Sequence, residues 1–175
     1  MKSLLDAGDS LLLLIDTQER LAPVIAGVEE VLESCRRLIA GALATEHFPR
    51  GLGGTVAPVR ELLAEGEIME KIHFSAAFEA PFRDRIAEIG RRQIVVAGTE
   101  SHVCVLQTAL GLKDLGYQVF VVADAVGSRD PENKRLALDR LRDEGLRVVA
   151  REMVLFEWAK RGASPAFRKL LPLIK

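Results

Sequence analysis

Gln93-Ile94-Val95-Val96-Ala97-Gly98-Thr99-Glu100-Ser101-His102-Val103-Cys104 is the stretch that decides the fold. Residues 94–97 are apolar and mostly β-branched, the composition of a strand covered on both faces. Gly98-Thr99 interrupts the run, and a helical pattern follows from about Val103 to Leu115. Strand, tight turn and helix in that order make the first part of a βαβ unit. The same order sets Cys104 in the first turn of a helix, just past the carboxyl end of a parallel strand, where open α/β sheets bind ligands. Free N–H groups and the positive end of the helix dipole favour a thiolate there. Cys104 is therefore a candidate nucleophile, with an expected pKa below that of an ordinary thiol.

Working outward, the alternation continues in both directions. Short apolar runs at 11–15, 42–45, 118–122 and 147–150 are further strands, and helical patterns cover 28–39, 81–89, 131–144, 154–160 and 165–171. Gly116 and Gly145 stand as helix stops, while Ser128-Arg129-Asp130-Pro131 and Ser164-Pro165 pair a capping residue with a proline at a helix start. The pattern predicts an α/β fold: a three-layer αβα, Rossmann-like, doubly wound parallel sheet of five or six strands, in one domain over residues 1–175. Residues 48–78 have weak periodicity and are expected to cross the carboxyl rim as an irregular segment, the kind of connection that carries function. Gly51-Leu52-Gly53-Gly54 within it is not a dinucleotide fingerprint, because it follows the second strand and Val56 occupies the place of the third glycine.

Composition narrows the function classes. A chain of 175 residues buries roughly 70% of its unfolded surface, enough for a core without staples. The 24 basic and 25 acidic residues leave a net charge of -1 with no basic stripe, which argues against a nucleic-acid partner. The sequence lacks the apolar run of about 18 residues that a membrane span needs. The apolar run 11–15 is bracketed by Asp9 and Asp16 rather than preceded by a basic flank, so it reads as a buried strand and not as a signal peptide. A cytoplasmic, reduced protein is expected, with Cys35 packed inside a helix rather than bridged to Cys104.

Asp16 closes the first strand in Leu14-Ile15-Asp16-Thr17-Gln18. A carboxylate after such a run is costly to bury unless it is paired or hydrogen-bonded. It either caps the following turn or acts as a general base at the rim that holds Cys104. Lys71, in Lys71-Ile72-His73-Phe74-Ser75, is a solvated lysine by itself and a fixed cation if the fold brings it to Asp16 and Cys104. His102 stands two positions from Cys104, but neighbours in a first helical turn do not face one another. It is expected as an exposed turn histidine rather than half of a dyad.

Taken together, Leu-Leu-Ile-Asp16-Thr-Gln18, Lys71-Ile-His-Phe74-Ser75 and Ala97-Gly98-Thr99-Glu100-Ser101-His102-Val103-Cys104-Val105 resemble the isochorismatase-like cysteine hydrolases, a family that includes nicotinamidases. The likeness runs nearly end to end, with Val122-Ala123-Asp124-Ala125 and Ser128-Arg129. Thr45-Glu46-His47-Phe48-Pro49-Arg50-Gly51-Leu52-Gly53 resembles the metal-independent branch, the isochorismatase domain-containing proteins. The resemblance implies that Asp16 takes the thiol proton and returns it to the leaving group. Cys104 attacks a small amide or related carbonyl compound to give a covalent intermediate, and Lys71 orients the pair. It also implies a cis peptide between Thr99 and Glu100 and an oxyanion hole from the backbone N–H groups of Glu100 and Cys104. Gln18, Glu46, Phe48 and Phe74 are the expected substrate contacts, with Phe78 a further possible pocket wall.

No metal or other cofactor is expected. Related nicotinamidases carry an Asp-x-His…His cluster after the second strand, and this chain has Glu46-His47-Phe48, with His73 the nearest further histidine in sequence. A small-molecule substrate and a homo-oligomer are the expected partners, the oligomer from the family and from the apolar stretch 154–158. A nicotinamidase and a catalytically idle binding module are the alternatives. Isochorismate hydrolysis is disfavoured, since by resemblance those enzymes lack the cysteine. The segment 28–45 is shorter than in related chains, with Gly41 as the break before a short second strand.

Overall fold

The computed structural model describes residues 4–39 and 42–173; Gly41 lies outside them. Six strands form one all-parallel sheet: β1 Ser10–Ile15, β2 Ala42–His47, β3 Ile68–Lys71, β4 Gln93–Thr99, β5 Gln118–Gly127 and β6 Arg147–Val149, in the order β3-β2-β1-β4-β5-β6. The order reverses direction between β1 and β4, so the crevice at their carboxyl ends is the switch point of the sheet.

Alternation along β1 builds both cores. Leu11, Leu13 and Ile15 face one cluster, with Phe82 and Ile86 of α4 (Ala80–Ile89), Leu106, Ala109 and Leu112 of α5 (Leu106–Asp114), and Leu138 and Leu141 of α6 (Pro131–Asp143). Leu12 and Leu14 face the other, with Val31, Cys35 and Leu38 of α1 (Val28–Leu38) and Val154 and Leu155 of α7 (Arg151–Ala159). Each fully buried leucine contributes about 1.5–3 kcal/mol. This is the expected three-layer αβα architecture. Among the described residues no helix is long and apolar enough to cross a membrane.

Helix starts follow their sequence signals. Asp130 accepts a hydrogen bond from the backbone of Glu132 at 2.8 Å, and Pro131 opens α6. Ser164 accepts from Phe167 at 3.0 Å ahead of α8 (Pro165–Leu170).

Three expectations need correction. The segment 48–78 is not simply irregular: it holds the short helices α2 (Pro49–Leu52) and α3 (Ala57–Arg60) and the edge strand β3. Only one residue in four of β3 is buried, so it lacks the continuous apolar run by which the other strands are found. The helix after β4 does not begin at Val103 as an α-helix. Ser101–Val105 forms a wide π-type turn, and α5 starts at Leu106. Finally, the stretch 154–158 packs largely against its own chain: Val154 and Leu155 are buried, and the Trp158 indole donates to Ser10 Oγ at 3.1 Å.

Candidate active site

The carboxyl ends of β1, β2, β3 and β4 converge at the switch point, and each supplies one part of the site. Asp16 follows β1 in the left-handed region at φ +47°, a conformation that Asp tolerates better than most residues and that recurs at functional turns. Its side chain is fully buried. Thr45, at the register position beside Ile15 on β2, donates to Asp16 Oδ1 at 2.7 Å. Thr99 Oγ1, at the end of β4, donates to the Asp16 carbonyl at 2.8 Å.

Lys71 ends β3 and is 1% exposed. Its Nζ lies 2.7 Å from Asp16 Oδ2 and donates to the carbonyls of His73 and Phe74, both at 3.2 Å. Two carbonyls thus orient the Lys71 side chain while its charge pairs with the buried carboxylate. The carbonyls are held in turn. Glu79 accepts from the backbone N–H groups of Ile72 at 2.9 Å and His73 at 3.0 Å, with the His73 ring at 2.9 Å. Those bonds, the backbone ones foremost, pull its carboxyl down to about 2. Ser75 Oγ bonds the Gln107 carbonyl and the Ala76 N–H bonds Thr108 Oγ1, pinning the segment to α5.

The close approach of β1 and β4 places Asp16 near Cys104. Gly98 lies against Ile15 at φ +109°, and a Cβ there would fall 2.1 Å from the Ile15 carbonyl oxygen. Only glycine fits both the space and the backbone angle. A cis peptide joins Thr99 to Glu100. The turn beyond it carries Cys104, a buried residue whose thiol lies within electrostatic reach of both Asp16 and Lys71. Burial, then the Asp16 charge, push this thiol up to about 12 against the opposing charge of Lys71. The expected low-pKa thiolate is therefore corrected: with the α-helix starting beyond Cys104 and a carboxylate against the sulfur, the neutral thiol is the resting form.

A cavity of about 350 Å³ opens over these groups. Asp16 and Cys104 line it from below, Leu21, Leu52, Phe74 and Val103 give apolar walls, and His47, Glu100 and Arg129 complete it. Desolvation first, then the charge of Lys71, hold the His47 imidazole below the usual histidine range, and its ring lies 5.1 Å from that of Phe74.

Of the four expected substrate contacts, Phe74 lines the cavity and three do not. Gln18 is fully buried, and its amide is spent on the backbone: Nε2 donates to the carbonyls of His47 at 3.0 Å and Gly53 at 2.8 Å, and Oε1 accepts from the His47 N–H at 2.8 Å. Glu46 accepts from the Thr55 N–H at 2.6 Å and Thr55 Oγ1 at 2.8 Å. Phe48 projects outward, 47% exposed, as does Phe78 at 65%. His102 bonds Ser128 Oγ at 3.0 Å through Nδ1. Cys35 is sealed beneath the sheet with its thiol toward the Ala125 carbonyl at 3.5 Å, and burial pushes it up to about 12. Both cysteines are free.

Sequence reading missed Thr45, His47 as a cavity wall, Arg129 and Glu79. Their roles arise from pairings across strands and loops that no local pattern announces. The position of Thr45 one step before Glu46, at the end of a strand beside the Asp16 strand, was the available signal. Among the described residues no group of three or more His, Cys, Asp or Glu side chains is placed to hold a metal ion.

A model of the isochorismatase domain matches residues 10–153. The chain is 32% identical over 177 residues to a protein of Phytophthora sojae named secreted isochorismatase effector Isc1, covering 95% of this chain and 84% of that one. It is 34% identical over 168 residues to isochorismatase domain-containing protein 1 of Danio rerio, covering 91% of this chain and 59% of that protein's length. A solved structure titled MAR1 ribonuclease, from Caenorhabditis elegans, superposes with a TM-score of 0.90 at 31% identity, covering 98% of this chain and 92% of that one.

Proposed function

We propose that this chain, which belongs to the isochorismatase family, is a cysteine hydrolase that cleaves a small amide or related carbonyl compound with Asp16, Lys71 and Cys104 as its catalytic residues. Hydrolase chemistry is the family's; the cysteine mechanism and the bond cleaved are our reading. The observation that carries it is the ion pair of Lys71 Nζ with Asp16 Oδ2 at 2.7 Å, with the Cys104 thiol against both groups at the floor of a cavity.

The resting thiol is neutral, so attack must be coupled to proton removal. Asp16 takes the proton as Cys104 Sγ bonds to the substrate carbonyl carbon. Negative charge grows on the carbonyl oxygen, and we assign its stabilisation to the backbone N–H groups of Glu100 and Cys104. Asp16 then gives the proton to the leaving nitrogen as the C–N bond breaks, leaving a thioester. Water attacks next, Asp16 takes its proton, and collapse breaks the Sγ–C bond. Cys104 recovers a proton from Asp16, and the products are an acid and an amine or ammonia. Lys71 takes no part in these proton transfers and fixes the carboxylate in the arc between sulfur and leaving group.

The test is mass spectrometry of the protein mixed with a panel of small amides, alongside assay of released ammonia. An acyl adduct on Cys104 and loss of release in Cys104→Ala are expected. Release undiminished in Cys104→Ala would overturn the reading. The same reading carries association of like chains, supported by the exposed Ile72, Phe74 and Phe78 within one short segment. Sedimentation at micromolar concentration as a monomer would contradict it.

A further inference from the structure

The charges facing the cavity answer one another. Asp16 is met by Lys71 at 2.7 Å. Glu100, 6% exposed at its side chain, is clasped by Arg129: Nη2 lies 2.7 Å from Oε1, Nε lies 2.9 Å from Oε2, and the Arg129 backbone N–H donates to Oε2 at 3.0 Å. Burial pushes the Glu100 carboxyl up, and the bonds from Arg129 outweigh it, so the group is held below the usual carboxylate range. The remaining polar wall, His47, has its pKa lowered by desolvation and by Lys71. Leu21, Leu52, Phe74 and Val103 offer no polar partner.

A charged group entering this space meets cations whose charge is already answered. Glu100 holds Nε and Nη2 of Arg129, whose side chain is 60% exposed, so an incoming carboxylate finds only the outer edge of a guanidinium already neutralised, or no partner among apolar side chains, and either placement is unfavourable. The volume of about 350 Å³ sits at the small end of ligand cavities. We propose that the site takes small uncharged acyl compounds with an apolar body, and that Glu100, by occupying the guanidinium of Arg129, is the specificity-determining residue that turns carboxylate-bearing compounds away. The acyl chemistry rests on the cysteine-hydrolase reading; the charge selectivity does not.

Iodoacetamide and iodoacetate test the selectivity, because they differ in charge at nearly equal size and need no turnover. With either, a bond forms between Cys104 Sγ and the methylene carbon, the C–I bond breaks to release iodide, and the thiol proton passes to Asp16. Alkylation rates at Cys104 are measured by peptide mass spectrometry and divided by each reagent's rate with glutathione. The normalised preference for iodoacetamide is expected to be about tenfold or more, the discrimination expected when a charge enters an apolar site unpaired. Glu100→Gln releases the guanidinium and is expected to lower that preference about tenfold, the strength of a charge-assisted pair. Arg129→Gln, a second variant should the first not fold, is expected to show a preference at or above the unmodified protein.

A normalised ratio near one, faster reaction with iodoacetate, labelling by neither reagent, a preference unchanged in Glu100→Gln, or a fall in Arg129→Gln would each overturn the assignment. Absence of amide turnover with the alkylation preference intact would remove the hydrolase reading and leave the selectivity standing. Turnover of carboxylate-bearing amides as fast as neutral ones would do the reverse.

Discussion

Thr45 Oγ1 donates to Asp16 Oδ1 at 2.7 Å, both side chains being buried at the switch point. The bond leaves Oδ2 to Lys71 and so fixes which carboxylate oxygen meets which partner. Thr45→Val keeps the volume and removes the donor, leaving a buried acceptor short of one bond. Chemical denaturation should show a loss of about 1–3 kcal/mol. Cys104 alkylation by iodoacetamide should slow about tenfold as the carboxylate turns off the sulfur. Thr45→Ser should recover most of both; a serine variant as impaired as the valine would show that packing, not the hydroxyl, is what matters.

The thiol of Cys104 and that of Cys35 are both raised from 9.0 to about 12. The sign for stability follows. A folded-state pKa above the unfolded value means the native state holds its proton more tightly, so this stability is complete below about pH 9 and drains away as pH rises toward 12. Thiolate absorbance at 240 nm should therefore show no step between pH 6 and 9 in the native protein. A step near pH 7 would return Cys104 to the class of resting thiolates.

Glu79 reaches the chemistry only through backbone. It holds the N–H groups of Ile72 and His73, and the carbonyls of His73 and Phe74 hold Lys71. Its carboxyl is lowered from 4.5 to about 2, so the stability it gives is full above about pH 4.5 and lost as pH falls toward 2. Glu79→Gln should melt lower at pH 7, and the difference should close by about pH 2. As a positioning residue it should also slow Cys104 alkylation at neutral pH. Melting curves that differ equally at pH 7 and pH 2 would show that the charge contributes nothing.

Gly98→Ala is expected to be among the most damaging single substitutions in the chain. The added carbon would overlap the Ile15 carbonyl, at 2.1 Å, in a backbone conformation at φ +109°. Strain and overpacking together should cost about 3 kcal/mol or more. Equilibrium urea denaturation measures it, and a loss under about 1 kcal/mol would show that β1 and β4 can part more readily than their packing implies.

Strands whose faces are both covered were plain to read, because 94–97 and 11–15 are apolar at every position and need no partner to be recognised. Asp16 was legible for a related reason, as a chemical interruption directly after such a run, and Cys104 through the strand, turn and helix order that follows 94–97. β3 was not, since an edge strand with one buried residue in four carries no alternation to find, and with it went the strand-end placement of Lys71 beside His47. Gln18 was read as a substrate contact because a glutamine just after a rim carboxylate looks identical in sequence whether its amide meets a ligand or, as here, three backbone groups. The thiol pKa was misjudged because burial of the sulfur and the nearby Asp16 charge, which outweigh Lys71, come from the packed fold and not from the local sequence.

The strand order divides the cavity by stiffness. Its floor hangs from β1 and β4, each hydrogen-bonded on both sides, whereas Leu52 and Phe74 come from segments flanking the edge strand β3. Amide hydrogen exchange should separate the two, with Leu14 and Val96 opening only on global unfolding and residues around Leu52 and Phe74 exchanging through small local excursions. Sequence change is absorbed in the same proportion. Residues on the β3 side can drift, and reshape what is admitted, without moving the sulfur or the carboxylate. New specificities are thus open to this scaffold at little thermodynamic penalty, while new reaction types are not.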